Sequence, residues 1–92
     1  MKKAKKLFLS GSVQGMFFEL FVQEQAKMLG LAGFLRKLED GRLEVFIEGD
    51  GENVDSFIAQ CKEGHQHVKI RNIEEKDERF QGMQDFKILK FS

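Results

Sequence analysis

Two glycines four residues apart mark the segment of this sequence best suited to chemistry. Gly11 and Gly15 bound the run Gly-Ser-Val-Gln-Gly, which separates an apolar stretch from a helical pattern. A turn between a strand and a helix presents unpaired backbone N–H groups at the positive end of the helix dipole, which suits an anion. Two glycines also fit a plain tight turn, so both interpretations stay open. The candidate phosphate-binding loop comprises Gly11, Ser12, Val13, Gln14, Gly15, Met16, Phe17 and Phe18.

Other chemically capable residues form weaker patterns. His65 and His67 could present two imidazoles on one face of a strand, but the sequence shows no third ligand beside them, so no metal site is predicted. Cys61 falls on the apolar stripe of a helical pattern, which indicates a buried, inert thiol rather than a nucleophile.

Hydrophobic spacing places the loop in a β-α-β-β-α-β order, because alternation predicts strands and recurrence every three or four residues predicts helices. The predicted strands cover 5–10, 33–38, 42–48, 68–73 and 86–91, and the predicted helices cover 18–29 and the segment from the N-cap Asp50 to Gly64. The charged stretch 74–81 is expected to be an exposed loop. We therefore predict an α+β, ferredoxin-like βαββαβ sandwich. Two helices lie on one face of an antiparallel sheet, with a short extra C-terminal strand.

Composition narrows the class of protein. The 92 residues suit a single domain over 1–92. Basic and acidic residues number 15 each, which argues against nucleic acid or an anionic membrane as partner. No apolar run approaches the length of a membrane span, and the apolar start breaks too early for a signal peptide. One cysteine suits a reducing compartment, so we expect a cytoplasmic protein.

The loop and three later motifs resemble the acylphosphatase family. They are Gly11–Gly15, Ala26–Phe34, Asp40–Glu44 and Glu48–Asp50, in the family's order and spacing, and the resemblance covers residues 5–89. The resemblance implies hydrolysis of the carboxyl–phosphate bond of small acyl phosphates without a cofactor. In that family the loop amides and an arginine at the helix start hold the phosphate, and an asparagine on the second strand positions the attacking water. Phosphoryl transfer needs mainly such positioning and charge stabilisation.

Both catalytic side chains of the family are substituted here. The arginine falls on Glu19, the asparagine on Lys37, and a loop glycine on Phe17, while Arg36 matches a family arginine with no phosphate contact and is expected to be structural. Replacing a phosphate-bound cation by a carboxylate changes the interaction by more than about 5 kcal/mol, or over a thousandfold in rate. Phe17 is expected to resist a positive φ and to cover the anion cradle with its ring.

The substituted positions allow further hypotheses. Glu19 and Lys37 could form an ion pair that fills the old phosphate site, or Lys37 could serve as the phosphate cation in the arginine's place. Taken alone, Glu19 is an ordinary acid in a first helical turn, where it stabilises the helix by about 0.3–1 kcal/mol.

We therefore predict an acylphosphatase-like domain that is catalytically degenerate and inactive or very weak as an enzyme. The alternative is an active acylphosphatase, with a small anion or acyl phosphate bound at the loop. A third class is a small module for an unknown protein partner, using a sheet edge or an exposed aromatic sheet face that includes Phe8 and Phe46.

Overall fold

The helices and strands follow the predicted order. The computed structural model describes residues 1–11, 16–64 and 70–90. Their elements are β1 (Lys2–Gly11), α1 (Met16–Met28), β2 (Ala32–Lys37), β3 (Leu43–Asp50), α2 (Gly51–Glu63), β4 (Ile70–Glu78) and β5 (Phe86–Leu89). No helix among these residues is both long and apolar enough to cross a membrane.

The five strands form one sheet in the order β4-β1-β3-β2-β5. The ferredoxin-like class is confirmed, but the sheet is mixed rather than purely antiparallel, because β5 runs parallel to β2. The path of the chain explains this direction. Glu78 at the end of β4 and Ala32 at the start of β2 lie in one row of the sheet, linked through Ala4 and Glu48. The connection from residue 79 to 85 crosses at this end, so β5 begins beside the beginning of β2.

Both helices pack on one face of the sheet over a shared core. The predicted apolar stripes are buried, with Phe18, Val22 and Ala26 on α1 and Val54, Phe57, Ile58 and Cys61 on α2. They meet the buried side chains of the central strands, which are Leu7 and Leu9 on β1, Leu35 on β2 and Leu43, Val45 and Ile47 on β3. The 3.6-residue and two-residue periods in the sequence thus correspond to the two sides of one core.

The charged stretch predicted as a loop is instead the second half of an edge strand. β4 continues to Glu78 and pairs with β1 along that length, while the predicted strand residues 68 and 69 lie outside the described residues. Two acids of β4 pair with one lysine of β1, with Lys5 Nζ 3.5 Å from Glu75 Oε1 and 3.0 Å from Asp77 Oδ1. An edge strand needs partners on one side only, and charged side chains protect its open edge. High polarity therefore did not indicate a loop here.

The face of the sheet without helices is more buried than the sequence suggests. Phe46 lies on it, as predicted, but is only 2% exposed and stacks on Phe34 with 5.7 Å between ring centroids. Phe8 is half-buried on the same face, with Arg42 Cζ 5.1 Å and Lys76 Nζ 5.6 Å from its ring centroid. The prediction of an exposed aromatic patch is therefore wrong for Phe46, which is buried. At Phe8 the side chains of Arg42 and Lys76 cover part of the ring.

A buried carboxylate holds the connection between β4 and β5. Glu48 is 1% exposed, and its two carboxylate oxygens accept hydrogen bonds from the backbone N–H groups of Gln81 and Met83. Glu48 has the small side chains of Ala4 and Ala32 as its neighbours in the sheet. The connection therefore lies against the sheet over Glu48, at the end where β5 begins.

Candidate functional site

Strand directions bring several elements to one end of the sheet. β1 and β2 are both antiparallel to β3 and so run the same way, and β5 is parallel to β2. Their last residues, Gly11, Lys37 and Leu89, therefore lie at a common end, here called the loop end. α1 begins five residues after Gly11 and packs against β2 and β5, so its first turn also lies there.

The predicted phosphate-binding loop is anchored at the loop end. Gly11 is the last residue of β1, has φ 128°, and follows an irregularity in the pairing between β1 and β4. Only a residue without a β-carbon adopts that φ readily, which explains the glycine. Ser12, Val13, Gln14 and Gly15 lie outside the described residues, as does the side chain of Met16. The anion-binding role of the loop remains a prediction.

Helix α1 begins two residues earlier than predicted. Met16 and Phe17 were expected in the turn, but both are helical. No residue other than glycine has a positive φ in the described part of the chain, so Phe17 carries no strain of that kind. A residue with a β-carbon favours the helical conformation over the left-handed one, which extends the helix toward the loop.

The three residues that follow Met16 point in different directions. Phe18 is 1% exposed and lies in the core, 6.4 Å from Phe21 between ring centroids, so it is a packing residue rather than a loop residue. Phe17 is 72% exposed at the protein surface. Glu19 is half-buried in the first turn. Glu19, which the resemblance predicts to stand in place of the family's arginine, thus lies in the first turn of α1.

Lys37 is on the helix side of the sheet at the loop end. It pairs with Leu43, which pairs in turn with Leu9, and both leucines are buried beneath the helices. Directly paired residues project to the same face of a sheet, so the exposed Lys37 also projects toward the helix side. The structure thus brings Lys37 and the first turn of α1 to the same end and the same face.

The hypothesised ion pair between Glu19 and Lys37 is not formed in the structure. Among the described residues, no carboxylate oxygen of Glu19 lies within 4.0 Å of the Lys37 ammonium. Lys37 likewise has no acid partner at that distance within the described part of the chain.

The hairpin arginines are engaged elsewhere. Arg36 donates from Nε and Nη2 to Glu44 Oε1 at 3.1 and 2.9 Å, on the helix-free face. Arg42 pairs with Asp40 at 2.8 Å and approaches Glu74 at 3.6 Å. Both guanidinium groups are thus paired with acids, which fits the structural role predicted for Arg36.

Cys61 has the properties predicted from its position. Its side chain is buried in the core, and burial raises the pKa of the thiol to about 12, so the nucleophilic thiolate is scarce at neutral pH. His65 and His67 lie outside the described residues. The described residues include no cluster of three or more side chains that could hold a metal ion.

Leu20 is a second exposed apolar residue of α1 that the motifs did not indicate. It is 49% exposed and lies three positions after Phe17 on α1, so the two side chains are neighbours on the helix surface. The spacing was readable from the sequence, but the stripe Phe18, Val22 and Ala26 accounted for the apolar residues of this helix. One further leucine in this helix did not by itself predict an exposed apolar site.

Comparisons with known proteins agree with this architecture. The acylphosphatase family model matches residues 5–88. The chain is 38% identical over 76 residues to an acylphosphatase of Rubrobacter xylanophilus, covering 83% of this chain and 69% of that protein. It is 34% identical over 90 residues to an acylphosphatase of Thermococcus kodakarensis, covering 97% and 99%. The crystal structure of acylphosphatase from Bacillus subtilis superposes with a TM-score of 0.89 at 32% identity, covering 98% of this chain and all of that one.

Proposed function

This chain belongs to the acylphosphatase family, and we propose that it is a catalytically degenerate member, which binds small acyl phosphates or related anions but hydrolyses them slowly or not at all. One observation carries the proposal. Glu19 at the start of α1 and Lys37 at the end of β2 occupy the positions where the resemblance expects the phosphate-binding arginine and the water-positioning asparagine.

The negative charge of Glu19 at the start of α1 is the strongest reason to expect slow hydrolysis. At about 4 Å and an effective dielectric constant near 20, a carboxylate repels an anion by about 4 kcal/mol where an arginine would attract it by a similar amount. Even if solvent reduces this swing to about 5 kcal/mol, the rate falls by more than a thousandfold. Arg36 and Arg42, the arginines nearest in the chain to Lys37, are held by acids, so neither supplies the lost charge.

Lys37 also lacks the chemistry of the residue it replaces. An asparagine carbonyl can accept a hydrogen bond from the attacking water while its amide donates another. An ammonium only donates, so it cannot orient the water's lone pair toward the phosphorus in the same way. Lys37 can still hold phosphate as a point charge.

An active acylphosphatase is the second candidate. Relatives 38% and 34% identical carry that name, and Lys37 is exposed without an acid within 4.0 Å in the described part of the chain. In this alternative, loop amides and Lys37 together stabilise the phosphoryl group. Lys37→Ala should then abolish hydrolysis that the unmodified protein shows.

Benzoyl phosphate hydrolysis tests the first proposal. We expect the unmodified protein to fall at least a thousandfold below a typical acylphosphatase, and Glu19→Arg combined with Lys37→Asn and Phe17→Gly to gain activity. Glu24→Arg is the matched control, because it reverses a charge on the exposed side of the same helix and should gain nothing. Unmodified activity within about tenfold of a typical family rate would overturn the degenerate interpretation.

We also propose that this domain works in the cytoplasm, since its single cysteine is a free thiol. The resemblance to acylphosphatases further leads us to propose that it uses no cofactor. A role as a partner-binding module is less well supported. The helix-free face that would serve it has Phe46 buried, Phe8 beside two cations and Glu48 covered by the connection from β4 to β5.

A further inference from the structure

A surface cavity lies at the opposite end of the sheet from the loop end. It has a volume of about 430 Å³, which is within the range of small-molecule sites, and it lies where the last turn of α1 meets the start of β5. The start of β5 pairs with the start of β2, whereas the loop end is where β2 stops. The lining of the cavity includes Lys27, Gly30, Leu31, Gln84, Asp85 and Lys87. The cavity shares none of these residues with the candidate site at the loop end.

Backbone hydrogen bonds and buried side chains hold both walls of the cavity. The N–H of Leu31 donates to the Ala26 carbonyl at 2.9 Å and closes the last turn of α1. The N–H of Gly33 donates to the Asp85 carbonyl at 3.0 Å, which ties the start of β5 to β2. Leu31 and Phe86, each 4% exposed, anchor the two walls in the core. The cavity is therefore formed before a ligand binds, and a ligand does not have to order it.

Charged groups of both signs line this one cavity. Lys27 and Lys87 contribute two ammonium groups and Asp85 contributes one carboxylate, and all three residues are exposed. None of the ion pairs formed within residues 1–11, 16–64 and 70–90 includes any of the three. A ligand in the cavity therefore meets two positive charges and one negative charge. The electrostatic complement of this set is a molecule with two negative charges and one positive charge.

We infer that this cavity binds a free acidic α-amino acid, whose two carboxylates face Lys27 and Lys87 and whose ammonium group faces Asp85. The negative end of the α1 dipole lies at the same cavity and also favours the ammonium group. The Gln84 amide can donate to the ligand and accept from it. A dicarboxylate without the ammonium group meets repulsion from Asp85, and an amide in place of one carboxylate loses one lysine contact. This binding site is additional to the proposed function at the loop end.

Chemical-shift titrations of the full-length protein with glutamate, glutamine and glutarate test the inference. We expect millimolar binding of glutamate, because ion pairs exposed to solvent each contribute modestly, and about fivefold weaker binding of glutamine and of glutarate. Lys27→Gln and Lys87→Gln should each weaken glutamate binding about fivefold. Asp85→Asn should act in opposite directions on two ligands: it should weaken glutamate binding about threefold and strengthen glutarate binding about threefold.

Lys90→Gln is the matched control, because it removes the same charge three residues after Lys87 at an exposed position outside the cavity lining. It should leave the affinity for glutamate unchanged. The inference is overturned by equal binding of the three ligands, by no saturable shift below about 100 mM glutamate, or by equal effects of Lys90→Gln and Lys87→Gln. An Asp85→Asn variant that changes both dicarboxylates in the same direction would overturn it as well. These titrations involve no hydrolysis of acyl phosphates, so their outcome is independent of the proposed function.

Discussion

Replacing Glu48 by glutamine should destabilise the protein without touching the candidate site. Glu48 is 1% exposed, and its carboxylate accepts from the N–H groups of Gln81 and Met83. Glutamine keeps the volume but offers one acceptor oxygen and one NH₂ group, so one of the two backbone donors then faces another donor. The NH₂ group of the glutamine, buried where the Glu48 carboxylate lies, is then left facing that donor without an acceptor.

The magnitude follows from the lost bond. A hydrogen bond to a charged group contributes about 1.5–3 kcal/mol, and an unpaired buried donor costs about 1–3 kcal/mol. Relief of the burial of a carboxylate offsets part of this loss. We expect a net decrease of about 2 kcal/mol in the free energy of unfolding. With an m-value of about 1 kcal/mol per molar urea, the urea midpoint falls by about 2 M.

Urea unfolding followed by circular dichroism measures the effect, and amide hydrogen exchange locates it. The amides of Gln81 and Met83 should lose protection first, because the connection between β4 and β5 loses its anchor. Glu78→Gln is the matched control, since Glu78 lies in the same row of the sheet but is exposed and should change stability by less than about 0.5 kcal/mol. A Glu48→Gln variant as stable as the unmodified protein, with both amides still protected, would refute the reasoning.

Two further predictions concern groups away from the loop end. Among the described residues, Arg36→Ala leaves the buried Glu44 with Lys6, 3.8 Å away, as its remaining cation. The variant should lower the free energy of unfolding by about 1–3 kcal/mol in urea titrations, and Arg36→Lys should recover part of it. Because burial raises the pKa of Cys61 from 9.0 to about 12, its contribution to stability is complete below about pH 9 and is lost as pH rises toward 12. Between about pH 9 and 12, the free energy of unfolding of Cys61→Ala should therefore fall less steeply with pH than that of the unmodified protein. Two parallel curves of unfolding free energy against pH would contradict the raised pKa of Cys61.

The order of elements and the family were readable from local pattern. The stripe Phe18, Val22 and Ala26 predicted α1, and alternation around Val45 predicted β3, because a side chain's period along the chain decides which face it presents. Glu19 and Lys37 were predicted to be the substituted positions from their place in short motifs, and that assignment stays a prediction. Position in a motif depends on neighbours in sequence, so no tertiary information was needed.

Other features depend on residues far apart in the chain and were decided only by the tertiary structure. The charged stretch of β4 was predicted as a loop, but it forms a strand because it pairs with β1. β5 runs parallel to β2 because the preceding connection crosses the sheet. Glu48 accepts hydrogen bonds from backbone amides 33 and 35 positions later in the chain, which no local pattern predicted. The helix-side placement of Lys37 follows from its pairing through Leu43 to Leu9. Local spacing specifies which elements form, whereas register and crossings place them together, and these are set by packing and hydrogen bonds between distant segments.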